Sequence, residues 1–345
     1  MTKKLTVVIM VIMTLMTLSL NLYAGGGKRN GTAGAQELLI PVNARGLAMS
    51  GAYISGMTGI DALYYNPAGF GAGSTNTEAM FSYMNYIADI GLSYAALGAN
   101  LGDFGAIAFS VRTLDFGDIP ITTVENPYGT GSTFSPTFVI AGITYSNSLT
   151  DRIRVGVNLN LISEKIIGTS ASGFSFDAGI QYNGLAGVEG LQMGVVLRNL
   201  GPQMAFDGPD LLRVAQESGS DRGDQRYSIV AASFELPSQL ELGLAYQYQF
   251  DESNQMLFAS SFQNNNFAND EYRLAGEYGF QNTFFVRGGY AYVSENAGNT
   301  DESLWGPTFG AGVKLQTGVD ISVDYAYRSV DYFDANHMVT VKLGF

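Results

Sequence analysis

The feature that most constrains this chain is a period of two that recurs from Thr77 to the last residue. Leu240, Leu242, Leu244, Tyr246, Tyr248 and Phe250 take one face, and Glu241, Gly243, Ala245, Gln247 and Gln249 take the other. Val319, Ile321, Val323, Tyr325 and Tyr327 oppose Asp320, Ser322, Asp324, Ala326 and Arg328 in the same way. Ile153, Val155, Val157, Leu159 and Leu161 likewise oppose Arg154, Asn158 and Asn160. A strand points successive side chains to opposite sides, so each segment has one apolar and one polar face. A soluble sandwich and a membrane barrel both satisfy this pattern and differ in which face is outside.

The two ends of the chain decide between them. Lys3 and Lys4 precede an apolar run from Leu5 to Leu22, then Leu22-Tyr23-Ala24 and three glycines, which predicts a secretory signal peptide over residues 1–24 with cleavage after Ala24. A retained anchor is the competing reading, and the small residue at the cleavage position favours removal. At the other end, Leu343, Val341, Val339 and His337 share a face with Phe345, while Gly344, Lys342, Thr340 and Met338 face away. A terminal aromatic with apolar residues at every second preceding position resembles the assembly signal of bacterial outer-membrane barrels, with Phe345 as its key residue. The polar face then lines a lumen and the apolar face meets lipid. The expected location is the outer membrane of a Gram-negative type cell, with its lipid and the barrel-assembly machinery as partners.

Composition narrows the chemistry. The chain is 46% hydrophobic and 14% charged, with 43 Gly, 20 Tyr and 21 Phe against 9 Pro and one Trp, which suits strands, tight turns and aromatic girdles. With no Cys, disulfides, thiolate metal sites and cysteine nucleophiles are excluded. A net charge of −13 argues against nucleic-acid binding. No cofactor is expected.

The predicted fold is all-β, a transmembrane antiparallel barrel of about fourteen strands, each near the length a tilted membrane strand needs. The predicted strands are 77–87, 90–101, 104–114, 134–146, 152–165, 173–183, 191–200, 229–250, 255–263, 270–279, 283–293, 306–315, 318–328 and 335–345. Pro237 falls inside the eighth, and an even count is kept by treating it as a bulge. Residues 25–76 lack sustained alternation and have helix-like apolar spacing over 43–50, which predicts an N-terminal plug ahead of a barrel spanning 77–345. With Phe345 at the periplasmic end, short turns at Gly102-Asp103, 251–254, 280–282 and Gln316-Thr317 share its side. Long loops at 115–133, 201–228 and 294–305 fall on the other.

The run Gly31-Thr32-Ala33-Gly34-Ala35-Gln36, followed by Asn43-Ala44-Arg45-Gly46 and Ser50-Gly51-Ala52-Tyr53, resembles the opening of the PorV/PorQ family. Asn66-Pro67-Ala68-Gly69 continues it and is shared with the wider FadL-like barrels, and Leu197-Arg198-Asn199-Leu200-Gly201-Pro202 and Asp324-Tyr325-Ala326-Tyr327 with His337 also match. The resemblance implies a fourteen-stranded outer-membrane barrel whose lumen is partly plugged by the N-terminal segment. Some members of the family serve type IX protein secretion, receiving cargo with a C-terminal sorting domain.

A buried arginine needs carboxylate or carbonyl partners, so Arg45 is expected to pin the plug to the wall, with ligand contact as the competing role. Asn66-Pro67, with Gly69, is expected to end a short helix in a turn. The inward positions Arg112, Arg154, Arg198, Glu241, Arg273, Glu277, Arg287, Lys314, Asp320, Asp324 and Lys342 mix both signs, which predicts a paired polar network in place of a charge-selective pore. His337 is the only histidine and points toward lipid, poor geometry for catalysis, so the chain is expected not to be an enzyme. Trp305, Tyr290, Tyr292, Tyr325 and Tyr327 are expected in an interfacial girdle. The first functional reading is assistance to protein secretion or surface attachment, with secreted cargo or secretion components as partners. The alternative is passive FadL-like transport of hydrophobic small molecules, with an apolar lining around Met49, Met57 and Phe70.

Overall fold

The computed structural model describes residue 29 and residues 31–216, 223–293, 303–316 and 318–345, so the expected signal peptide, part of each of the loops 201–228 and 294–305, and Thr317 lie outside it. Fourteen antiparallel strands close into a barrel, β1 pairing with β18 from Glu78 opposite Gly344 to Asn85 opposite His337. They are β1 Thr77–Asn85, β2 Gly91–Asn100, β3 Ala106–Asp115, β6 Thr137–Ser148, β7 Ile153–Ile166, β8 Thr169–Asn183 and β9 Leu191–Leu200, then β12 Gln239–Gln249, β13 Gln255–Asn265, β14 Glu271–Phe280, β15 Phe284–Val293, β16 Trp305–Gln316, β17 Asp320–Val330 and β18 Asn336–Gly344. The short pairs β4 Ile119–Pro120 with β5 Thr133–Phe134, and β10 Leu212–Ala215 with β11 Gln225–Ser228, are hairpins in two long loops.

Closure gives every strand a hydrogen-bonded neighbour on both sides, which a membrane core demands. The alternation then sorts itself by face. Phe81, Leu97, Phe109, Leu161 and Phe309 are each more than half exposed on the outer wall, whereas Ser82, Glu241, Asp324 and Thr340 are buried inside. Among the described residues no helix is long and apolar enough to cross a membrane. The connections at 101–105, 149–152, 184–190, 250–254 and 281–283 gather at one end with Phe345, here termed the turn end, and the opposite loop end carries the long connections 116–136 and 201–238 together with short ones such as 167–168.

One strand departs from expectation. The eighth begins at Gln239, so Pro237 precedes it and makes no bulge. Residues 229–238 instead fold back over the loop end, where Phe234 and Met204 exchange backbone hydrogen bonds of 2.9 and 2.8 Å and Leu236 is buried. Phe234 and Leu236 form a lid, so the alternation around them reflects packing onto the lumen contents, while Ile229 and Val230 stay exposed.

The N-terminal segment threads the barrel from loop end to turn end. Arg29 pairs with Glu235 of the lid at 2.8 Å, the Gly34 amide donates to the Glu235 carbonyl at 3.1 Å, and the Asn76 amide reaches the Phe345 carbonyl at 3.1 Å. Between them lie the short helices Ala44–Ala48 and Ala62–Tyr65 and the 3-10 turns Gln36–Leu39 and Pro67–Ala72. Helices this short are marginal alone and hold here through tertiary contact.

Candidate functional site

In the turn-end half the segment is tied to the wall by charge. Arg45, on the helix Ala44–Ala48, donates from Nε and Nη2 to the two Glu277 carboxylate oxygens at 3.0 and 2.8 Å. Arg287 joins Glu277 to Asp324, and Lys342 Nζ contacts Asp61 of the segment and, at 3.2 Å, Asp324. Burial alone would depress the Arg45 guanidinium, but the facing Glu277 carboxylate outweighs it and raises it above its ordinary value. Opposite charges alternate along this chain, so each buried ion has a partner and the desolvation cost is offset. A cavity of about 230 Å³ opens beneath it, bordered by Arg45, Asp61, Glu78, Lys314, Asp320 and Lys342. Lys314 and Asp320 pair there at 3.2 Å.

Midway, the contacts are backbone hydrogen bonds and close packing. Asn43 caps its helix by accepting from the Gly46 amide at 2.8 Å and donates to the Asp61 carbonyl at 3.0 Å. The Ala44 amide donates to Thr340 Oγ1 at 2.8 Å, and Thr308 Oγ1 donates to the Ala48 carbonyl at 2.9 Å. Asn66 ends the helix Ala62–Tyr65 and starts the next turn, accepting from the Ala68 amide at 3.2 Å while donating to the Ile54 and Ile180 carbonyls at 3.0 and 3.2 Å. Gly156 and Gly179 of the wall make room for it, because a methyl group on either would collide with Pro67 or Asn66. Gly69 packs as closely on the Met57 carbonyl. Met49, Met57 and Phe70 are buried in this packing and border neither the cavity beneath Arg45 nor the smaller one beside Tyr64, which departs from the expected apolar lining.

The loop-end half is built differently. On the wall formed by β6 to β8, Ile140, Ile162 and Ala171 meet Leu38 of the segment and Met204 and Leu236 of the lid in one apolar cluster. The facing wall holds the ion pairs Arg198–Glu241 and, at 2.7 Å, Arg273–Glu271. Between the walls stands Tyr64, its ring within 4.9 Å of the Arg112 guanidinium carbon and 5.0 Å of that of Arg198. A cavity of about 20 Å³ beside it, room for a water or two, is bordered by Leu63, Tyr94, Ile140, Asn158 and Asp177. Arg112 reaches the Glu37 carbonyl at 2.6 Å and has no carboxylate ion pair among the described residues.

The wall itself is incomplete at this end. The β15–β16 ladder stops at Gly289 opposite Thr308, so among the described residues Tyr290 to Val293 have no ladder partner on that side. Pro307 lacks an amide hydrogen, and the register against β17 slips between Trp305 and Thr308. The slip turns Trp305 inward, where Arg328 lies 3.6 Å from its ring centroid and Tyr86 stacks on it at 5.8 Å. Trp305 therefore leaves the expected girdle, while Tyr290, Tyr292 and Tyr325 remain outward and exposed.

Of the residues singled out from sequence, Arg45, Arg287, Asp324 and Lys342 meet in one chain, Arg198 and Glu241 in a second, and Asp320 at the turn-end mouth. Arg154 stands apart beside Asn183. His337 faces outward with Nδ1 2.7 Å from the Tyr325 hydroxyl. Sequence reasoning missed Asp61, Glu37, Thr308 and Thr340. The inward parity of Thr340 and Thr308 was visible, but their partners lie some 260 to 300 residues away, as the separations of 260 and 296 positions show.

No family model matches the chain, and no curated protein matches it. Solved structures do. The toluene transporter TodX of Pseudomonas putida is 13% identical with a TM-score of 0.53, covering 88% of this chain and 97% of that one. A TodX monoaromatic hydrocarbon channel lacking S2 is 14% identical with a TM-score of 0.51, at 88% and 97% coverage. A variant lacking S2 and S3 is 12% identical, also at 0.51, covering 87% and 97%. At these identities the likeness is one of fold, and this chain shares with TodX the architecture of a closed antiparallel barrel.

Proposed function

We propose that this chain is a non-enzymatic outer-membrane channel through which small hydrophobic solutes pass from the loop end, outside the cell, sideways into the bilayer. The observation that carries the reading is the unpaired stretch between β15 and β16. A water-filled porin has no use for a gap in its wall, whereas a solute that partitions into lipid does. The turn-end half, with its chain of buried ion pairs, is a hostile path for such a solute, since displacing it would strand charges in the lumen. The loop-end half offers Tyr64, Tyr86, Tyr94 and Trp305 around the way to the gap. The likeness in fold to TodX supports this reading.

Cysteines at Ala291 and Gly306, on the two sides of the gap, test it. Oxidation to a disulfide should lower uptake of a hydrophobic solute about tenfold, a barrier change of ~1.4 kcal/mol, and reduction should restore it. Trp305, the only tryptophan, gives an independent readout, its emission shifting as solute reaches the gap. Uptake that ignores the redox state of the pair sinks the lateral route.

Protein secretion or surface attachment stands second. It draws on the N-terminal resemblance to PorV/PorQ and on the exposed hairpin β10–β11, where Val214, Tyr227 and Arg213 face solvent. The motif residues Asn43, Arg45, Gly46, Asn66 and Gly69 are all engaged in seating the segment, so the motif demands this fold and leaves cargo unspecified. A genome that encodes no proteins with type IX sorting domains removes this reading.

A further inference from the structure

The 3-10 turn Gln36–Leu39 follows directly on the stretch of the threaded segment that is bonded to the lid, and its Glu37 is 4% exposed. Against it, from β7, comes the side chain of Glu164, also 4% exposed, and the two carboxyl groups hydrogen-bond to each other. Oε1 of each is buried without a partner. Around them lie Leu38, Ile140, Ile162, Ala171, Met204 and Leu236. Two carboxylates cannot share such a site unless a proton lies between them, because like charges in contact in a poorly polarisable medium repel strongly.

We propose that Glu37 and Glu164 are a proton-holding latch that fastens the loop-end tip of the threaded segment to the barrel wall and opens when the shared proton is lost to solvent. Among the described residues Arg112 is the cation that acts on the pair, and it is committed by Nη1 to the Glu37 carbonyl and by its face to Tyr64. Asp177, the next acid, is engaged with the Asn199 amide at 2.7 Å and with Asn158 and Asn160, both at 3.0 Å. β6 contributes Ile140 to the packing around the pair, and the lid contributes Leu236. Burial pushes Glu37 above its ordinary value of 4.5. A raised acid favours the closed state at low pH, and that advantage falls away as pH rises from the ordinary value through the raised one. With one proton released on opening, the open population grows about tenfold per pH unit across that window. The latch does not depend on which solute passes.

The chain has no cysteine, so Leu38→Cys places a single buried thiol under the latch, and Ser132→Cys in the exposed loop serves as reference. The labelling rate of the thiol at position 38, divided by that at position 132, should climb about tenfold per pH unit in part of the range between roughly pH 5 and 9. Added to Leu38→Cys, Glu164→Gln keeps the hydrogen bond without the titration and should flatten the ratio, and Glu37→Gln should do the same. Heat-modifiable gel mobility confirms that each barrel is folded. A ratio independent of pH in the Leu38→Cys protein, or an unchanged slope in both glutamine variants, overturns the latch.

Discussion

The two halves of the lumen hold the same threaded segment by opposite means. At the turn end, Arg45, Glu277, Arg287, Asp324, Lys342 and Asp61 alternate in sign, so removing any one strands its neighbours. At the loop end the tip rests on apolar side chains, a lid, one carboxyl pair, the half-exposed Arg29–Glu235 ion pair and the Arg112 hydrogen bond to the Glu37 carbonyl, with no buried cation–carboxylate pair between tip and wall among the described residues. An ionic chain within a barrel fixes position and resists partial opening, whereas an apolar cap over a titrating pair separates in a single step. The segment is thus anchored at one end and releasable at the other.

The largest expected effect comes from breaking the anchor. Glu277→Ala leaves Arg45 and Arg287 buried without their shared carboxylate, which should cost about 3–5 kcal/mol, read as a lower unfolding temperature on heat-modifiable gels. Glu164→Gln at the loop end should cost less than about 1 kcal/mol, since a hydrogen bond survives. Equal losses in the two variants would falsify the claim that only the turn end is held by buried ion pairs.

A smaller effect sharpens the comparison from the middle of the barrel. Gly179→Ala puts a methyl group against the Asn66 side chain, which is bonded to Ile54 and Ile180 and cannot retreat. Overpacking of this kind costs about 1–3 kcal/mol. Because Asn66 lies in the midway packing and not at the loop-end tip, the ratio of thiol labelling at position 38 should stay unchanged in this variant. A rise there would mean that the two ends move together.

Much of this was legible in the residues. Period two located thirteen of the strands to within a few positions, and β9, Leu191–Leu200, matches in both bounds. That success has a physical root, since lipid outside and polar groups inside allow no slip of register. Where a tertiary contact replaced the membrane as the apolar partner, the same rule misled. Residues 233–236 alternate like a strand because Phe234 and Leu236 cover the segment, and Trp305 changed sides because the slip at Pro307 inverts the parity behind it. The charged residues could be placed on the lumen face, but which carboxylate meets which arginine depends on strand stagger and on the path of the segment. Glu37 and Asp61 were invisible for that reason, being in a stretch with no period to place them.

The smallest expected effect concerns pH, where the two ends should respond with opposite sign. In the β12–β13 connection at the turn end, Asp251 accepts from the Ser253 and Asn254 amides, each at 2.8 Å, and from the Asn254 side chain. Hydrogen bonds from Asn254 first, and then from the Ser253 amide, hold this exposed carboxyl below its ordinary value of 3.8. A depressed acid stabilises the folded turn above its ordinary value, and that contribution is lost as pH falls through the depressed one. Acid should therefore speed hydrogen exchange of the Asn254 amide relative to the neighbouring strands, and Asp251→Asn should remove the change. The loop-end tip should loosen only in alkali. A barrel in which both ends loosen on the same side of neutrality would show that a single global transition governs them, and the division into a fixed and a releasable end would not stand.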